Sequence, residues 1–183
     1  SEWERNNTKY YGKPWAYIPV DWEDTVFRQI LRDAIQPIIP LEKVSIPKDS
    51  ISVACHLRRG GGFDTEHTFR NASLKFPPDT FFISEIQELL RLFYGKKLYV
   101  FLFTDDKNPF GLRKKFEDVF QGFPVIFECR LTNNSHNLHV LDDFFAMIQF
   151  DCCLHGESNF SLCAGKIADY CYESQASSFH WDG

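Results

Sequence analysis

The chain has no apolar run long enough to cross a membrane and no excess of basic residues. A membrane-spanning helix needs about 20 apolar residues, so we expect no membrane span. Its 25 acidic residues outnumber its 20 lysines and arginines, which gives a formal net charge of -5. Nucleic-acid and anionic-membrane binding need a dense cationic face, and we expect neither. Residues 1–11 lack a signal-peptide pattern. We therefore expect a cytoplasmic protein, or one of the secretory lumen if the N-terminus is trimmed.

The chain also lacks any Cys-x-x-Cys pair, a spacing typical of zinc sites and redox-active disulfides. It has six cysteines, and most of them lie inside apolar runs. They are Cys55, Cys129, Cys152, Cys153, Cys163 and Cys171. This pattern favours buried free thiols over disulfides or a zinc site.

Apolar residues are plentiful enough for a core, since 44% of the 183 residues are hydrophobic and 16% are aromatic. A chain of this size buries roughly 70% of its unfolded surface. Residues 1–48 are predicted to form an N-terminal arm and a helix, with Asp21 as the cap and a stop at Pro37. Residues 49–183 are predicted to form one larger domain.

Within that domain, short apolar segments alternate with amphipathic helical segments. The predicted strands are 51–56, 97–103, 124–128 and 152–155, and the predicted helices are 78–93, 109–120, 141–151 and 159–172. This alternation predicts an α/β fold, a Rossmann-like parallel sheet with helices on both faces. Because ligands of such sheets bind at the carboxyl ends of the strands, the polar motifs that follow the strands are candidate binding residues.

The first motif follows the first predicted strand and contains a histidine, two arginines and a glycine run. Its candidate residues are His56, Arg58, Arg59, Gly60 and Gly61. Glycines let the backbone approach a ligand closely, and an arginine fork matches phosphate oxygens. The alternative is a flexible turn with solvated arginines. We favour binding, because a charge without a partner at the end of a buried strand is costly.

Two further motifs lie at strand ends. Asp105 and Asp106 follow the second strand, where helix capping or a contact to ligand hydroxyls is favoured over a metal site. The other motif pairs Asp142-Asp143 with a helix start after the fourth strand. That helix start contains Ser158, Asn159, Phe160 and Ser161. A helix N-terminus with small polar residues is suited to a diphosphate, although taken alone it is only a cap.

Together these motifs resemble the α1,2, α1,6 and protein O-fucosyltransferase superfamily. The matching elements, in the family's order, are His-x-Arg-Arg-Gly from His56, Phe-Thr-Asp-Asp from Phe103, Asp143 with Met147, and Ser-Asn-Phe-Ser from Ser158. The resemblance covers about residues 50–172. Three substitutions depart from the family pattern. Gly60-Gly61 replaces Gly-Asp, with the acid delayed to Asp64, Asn159 replaces the second serine of Ser-Ser-Phe-Ser, and Leu162-Cys163 replaces the tryptophans that often follow.

The resemblance implies specific roles for these residues. Arg58 would bind the β-phosphate and stabilise the leaving diphosphate, while His56 and Asp143 would contact guanine or ribose. Residues 158–161 would cradle the diphosphate. Glu66, with Asp64 as the second choice, would be the base that deprotonates the acceptor.

The activity implied is a metal-independent, inverting transfer of fucose from GDP-fucose to a glycan or protein hydroxyl, on a GT-B scaffold. Residues 49–183 would be its nucleotide-sugar-binding half, with no cofactor besides the donor substrate. The segment before His56 is too short for the N-terminal domain of a GT-B enzyme. We therefore expect a missing acceptor domain or a reduced protein. The alternatives are a non-catalytic GDP-sugar-binding or interaction module and another nucleotide-diphosphate binder.

Overall fold

A computed structural model describes residues 21–35, 44–60, 73–130 and 140–176. The chain divides into two compact units, Ser1–Gln36 and Pro37–Gly183. The first unit contains helix α1, Thr25–Ala34. Its cap is Asp24 and not the predicted Asp21, because the Asp24 carboxylate accepts hydrogen bonds from the amides of Val26 and Phe27. Such a cap satisfies amides that have no partner inside the helix.

The second unit is an α/β domain. Its strands are β1 (Ser50–Leu57), β2 (Lys97–Thr104), β3 (Val125–Cys129), β4 (Cys152–His155) and β5 (Tyr172–Gln175). Its α-helices are α2 (Asp79–Leu92), α3 (Pro109–Val119), α4 (Val140–Met147) and α5 (Asn159–Ile167). A short 3-10 helix, Ser73–Lys75, precedes α2.

The five strands form one sheet of order β3-β2-β1-β4-β5, and every neighbouring pair is parallel. The predicted Rossmann-like α/β fold is therefore confirmed. The helix predicted over 159–172 was too long, because α5 ends at Ile167 and Ala168 has an extended backbone. The residues that follow form β5, a strand that the sequence reading missed.

The central strands β1, β2 and β4 are largely buried on both faces of the sheet, because their side chains point alternately to either side and helices cover both. On one face, Val53 and Cys55 of β1 lie in a core with residues of α2 and α3, including Phe82 and Phe116. On the other face, Ala54 lies in a second core that contains residues of α4 and α5. Burying each large apolar side chain contributes roughly 1.5–3 kcal/mol, so the two cores fix the sheet and its strand ends.

No helix within the described ranges is both long and apolar enough to span a membrane.

Candidate functional site

The strand order reverses at β1, which has β2 on one side and β4 on the other. The carboxyl ends of these three strands are level, since Leu57 pairs with Thr104 and His56 pairs with His155. In open parallel sheets, ligands bind in the crevice outside the carboxyl ends at such a reversal. The motif that contains Arg58 and Arg59 begins at this point of the fold.

The turn after β1 is fixed by a glycine and by the acidic motif after β2. Gly60 is buried and has a φ of 86°, a left-handed conformation that a side chain would strain. The backbone amide of Arg59 donates a hydrogen bond to the carboxylate of Asp105. Asp105 thus fixes the backbone of the turn after β1, a role other than the helix capping or ligand contact expected from the sequence.

The neighbouring Asp106 does not cap α3 itself but stabilises the turn that leads to the cap residue Asn108. Its carboxylate accepts a hydrogen bond of 2.7 Å from the amide of Asn108. Asn108 in turn caps α3 by accepting from the amide of Gly111 at 3.0 Å. The two adjacent aspartates therefore face different partners. Within the described part of the chain, no group of three or more His, Cys, Asp or Glu side chains forms a metal site.

Arg59 joins the end of β1 to the start of α2. Its guanidinium donates to the carbonyl oxygen of Pro77 at 3.0 Å and to the carboxylate of Asp79. The ammonium of Lys115, on α3, binds the same carboxylate. One aspartate is thus shared by two cations from different elements, and the Arg59 and Asp79 side chains are only 21% and 18% exposed.

Arg58 lies beyond the last residue of β1 and packs on an aromatic ring. Its guanidinium carbon is 5.8 Å from the centre of the Phe76 ring, a distance at which cation–π attraction contributes about 0.5–1 kcal/mol. The predicted strand alternation grouped Arg58 with His56. However, Arg58 follows the strand, and it lines the same cleft as Arg59.

This cleft lies at the carboxyl ends of β1 and β2, between the starts of α2 and α3, and has a volume of about 850 Å³. Ligand pockets commonly measure about 300–1,000 Å³. Three cationic side chains line it against two carboxylates. They are Arg58, Arg59 and Lys115, with Asp79 and Asp106. The start of α2 also lines it, and a helix N-terminus favours anions. The cleft therefore suits a nucleotide-sized anion.

The segment before α2, which forms one wall of the cleft, packs against the loop after β4. A Cβ at Gly156 would lie 2.7 Å from the Leu74 carbonyl oxygen and 2.7 Å from Cδ of Pro77. In addition, the amide of Glu157 donates to the Leu74 oxygen at 2.7 Å. Glycine allows this close backbone approach. The segment that contains Phe76 and Pro77 therefore packs directly against the backbone that follows β4.

The end of β4 is itself held by a buried histidine. His155 is 0% exposed, and its Nδ1 lies 2.8 Å from the Gly156 carbonyl oxygen. Its Nε2 lies 3.0 Å from a carboxylate oxygen of Glu173 on β5. His155 therefore links β4 to the edge strand.

The remaining predicted residues lie on the α4 and α5 side of the sheet. The His56 ring is 5.4 Å from the ring of Phe160, which is 5.7 Å from that of Phe144. Asp143 accepts a hydrogen bond of 2.7 Å from Nε of Arg130, whose side chain is 5% exposed. The sequence reading missed Arg130. The guanine or ribose contacts of His56 and Asp143 stay predictions.

Ser158 occupies the N-cap position of α5, as predicted, but its side chain makes no capping hydrogen bond. Ser158 and Ser161 are 5% and 0% exposed, whereas Asn159 is exposed. The hydroxyl of Ser161 donates to the Ser158 carbonyl oxygen at 3.2 Å. A diphosphate cradle at residues 158–161 stays a prediction. Gly61, Asp64 and Glu66 lie outside the described residues.

Compared with known proteins, the chain matches no family model, and no curated protein matches it.

Replacing either of two adjacent lysines should affect GDP binding differently, because only one of them lines the cleft. Lys115→Ala removes a cation from the cleft, whereas Lys114 pairs with Asp118 on the same helix and does not line it. We expect Lys115→Ala to weaken binding of GDP about fivefold, because the variant loses one partly exposed charge-assisted contact. Lys114→Ala should leave the dissociation constant unchanged. Calorimetric titration of both variants tests this, and equal losses would contradict it.

Proposed function

We propose that this chain binds a GDP-sugar in the cleft and is the donor-binding half of a fucosyltransferase-like glycosyltransferase. The observation that carries the proposal is the cleft of about 850 Å³ with Arg58, Arg59 and Lys115 in its lining, at the carboxyl ends of β1 and β2. The ordered resemblance to the fucosyltransferase motifs supports guanosine and fucose as the donor's parts.

The chemistry of sugar transfer explains why cations belong in this cleft. When the bond from fucose to the diphosphate breaks, negative charge develops on the leaving diphosphate, and fixed positive groups stabilise it. Arg58 would bind the β-phosphate, as the resemblance implies. Lys115 adds charge on the α3 side. Because side chains can supply this charge, the proposed reaction is metal-independent.

The acceptor side of the reaction needs a base opposite the leaving group. By resemblance this base is Glu66 or Asp64, and it would deprotonate a glycan or protein hydroxyl as that oxygen attacks with inversion. The acceptor domain itself would come from chain beyond these residues or from a partner. A cytoplasmic location stays part of the proposal.

One observation favours the second candidate, a GDP-sugar-binding or interaction module without turnover. The charges of Arg59 and Lys115 are both directed at Asp79, so the cleft has less free positive charge than its residue count implies. A binding module needs only to hold the donor in the cleft. Turnover needs the base as well.

Calorimetry with GDP, GDP-fucose, UDP and ADP at equal concentrations in EDTA tests the binding proposal. We expect GDP and GDP-fucose to bind, UDP and ADP to bind much more weakly, and added magnesium to change nothing. Equal affinity for all four would mean a general diphosphate site, and binding only with magnesium would contradict the metal-independent proposal. Consumption of GDP-fucose with glycan or peptide acceptors then separates the enzyme from the binding module.

A further inference from the structure

Two cysteines lie side by side at the amino ends of β4 and β5. Cys152 is the first residue of β4 and is buried, whereas Cys171 directly precedes β5 and is exposed. Their sulfur atoms are 3.8 Å apart. The amide of Cys171 also donates to the Asp151 carbonyl oxygen at 2.8 Å, which fixes the two backbones against each other.

This arrangement is compatible with a disulfide. A disulfide needs a sulfur separation of about 2.05 Å and a Cα separation of about 4.4–6.8 Å. Neighbouring strands lie about 4.8 Å apart. Cys152 pairs with Tyr172, the residue after Cys171, so the two cysteines are neighbours across adjacent strands. Side-chain rotation can therefore bring the sulfurs together without moving the sheet.

We propose that Cys171 is a thiol modification site at which glutathione disulfide or a similar small disulfide reacts, and that Cys152 converts the adduct to an internal disulfide. The Cys171 thiolate attacks one glutathione sulfur and releases the first glutathione thiolate. The Cys152 thiolate then attacks the Cys171 sulfur and releases the second. The two cysteines lose two protons and two electrons, and the oxidant becomes two reduced glutathione molecules.

The order of the two steps follows from exposure. A reagent in solvent reaches Cys171 but not the buried Cys152. Burial raises the pKa of the Cys152 thiol above its usual range, and the neighbouring Cys171, Asp151 and Cys153 add to this effect. The thiolate is the attacking species, so the second step should be slower at neutral than at alkaline pH.

The chain supplies its own control in Cys163. This cysteine is exposed like Cys171, but no contact between Cys163 and another cysteine is present in the described part of the chain, which contains all six. Glutathione attached to Cys163 should therefore remain attached. The proposal is independent of the sugar-nucleotide site, which lies at the carboxyl ends of the strands.

Peptide mapping of the whole folded chain after treatment with excess glutathione disulfide tests this. Remaining thiols are alkylated, and cleavage after Lys166 separates Cys152 from Cys171. We expect a Cys152–Cys171 disulfide in the wild type and in Cys163→Ser. In Cys152→Ala, Cys171 should keep its glutathione, and in Cys171→Ser no internal disulfide should form.

The oxidised wild type should also melt about 5 °C higher than the reduced protein, because the bond constrains the unfolded chain, while GDP affinity stays the same. The Cys171→Ser variant, treated with glutathione disulfide in the same way, should show no such rise. A wild type in which Cys171 keeps its glutathione, as Cys163 does, or remains a free thiol would overturn the proposal. A disulfide between two chains would overturn it as well.

Discussion

Replacing Gly156 with alanine is expected to lower the free energy of unfolding by about 3 kcal/mol, near the upper end for an added methyl group in a packed site. The new Cβ would lie 2.7 Å from the Leu74 carbonyl oxygen and 3.0 Å from that of Lys75. These are backbone atoms, and the Leu74 oxygen already accepts from Glu157. The wall of the cleft must therefore move, and GDP binding should weaken along with stability.

Urea unfolding of Gly156→Ala and Gly165→Ala measures this effect. At Gly165 the atoms nearest to a Cβ belong to the end of the Glu173 side chain, so the added methyl group displaces the contact of Glu173 with His155 and no backbone atom, and alanine also favours the α5 helix. We expect a smaller loss for Gly165→Ala. A Gly156→Ala protein as stable as the wild type would mean that the segment before α2 does not pack closely against Gly156.

Replacing Arg58 with alanine is expected to weaken GDP binding about 10- to 100-fold, because a charge-assisted contact to a phosphate contributes roughly 1.5–3 kcal/mol. The guanidinium of Arg58 also packs on the Phe76 ring, so thermal unfolding is measured alongside binding. Arg59→Ala should weaken GDP binding less. It should lower stability more, because Asp79 and the Pro77 carbonyl oxygen lose their shared donor.

Paired calorimetry and thermal unfolding separate these two effects. Arg91→Ala is the matched control, since this arginine is 69% exposed and pairs with Glu88 in the last turn of α2, away from the cleft. It should change neither quantity by much. Equal losses of affinity from Arg58→Ala and Arg59→Ala, with the fold intact, would contradict the role given to Arg58.

Most of the fold could be predicted from the sequence because its central strands are buried on both faces. Strands β1 and β2 are nearly continuous apolar segments, and helices such as α2 have apolar residues at helical spacing. These local patterns are sufficient to predict parallel βα units. The placement of polar motifs at the carboxyl ends then follows from topology alone.

Strand β5 could not be predicted in the same way. Its residues, Tyr172–Gln175, alternate between half-buried and exposed, and most are polar, so no apolar run marks them. It pairs with β4 alone at the edge of the sheet. The helix before it ends at Ile167, and no glycine or proline follows it to signal the end. The pairing with β4 is a tertiary interaction, and a single sequence does not reveal it.

The candidate site was predictable only in part. Arg58, Arg59 and Asp106 were identified from their positions after strands, and all three line the cleft. The ion-pair partners were missed, both in the cleft and on the other side of the sheet. Asp79 lies 20 residues from Arg59 and 36 from Lys115 in the cleft, and Arg130 lies 13 from Asp143 on the α4 and α5 side. Such ion pairs join separate elements, so no local spacing indicates them.

The most direct test of the cleft as the diphosphate site is to fill it. Thr80 is exposed, lines the cleft and lies in the first turn of α2, so Thr80→Trp would occupy the space without removing a charge. Gln87 is exposed two turns further along the same helix and does not line the cleft, which makes Gln87→Trp the matched control. In calorimetric titrations with GDP in EDTA, we predict no measurable binding to Thr80→Trp and wild-type binding to Gln87→Trp. Wild-type affinity in a folded Thr80→Trp protein would contradict binding of the diphosphate in this cleft.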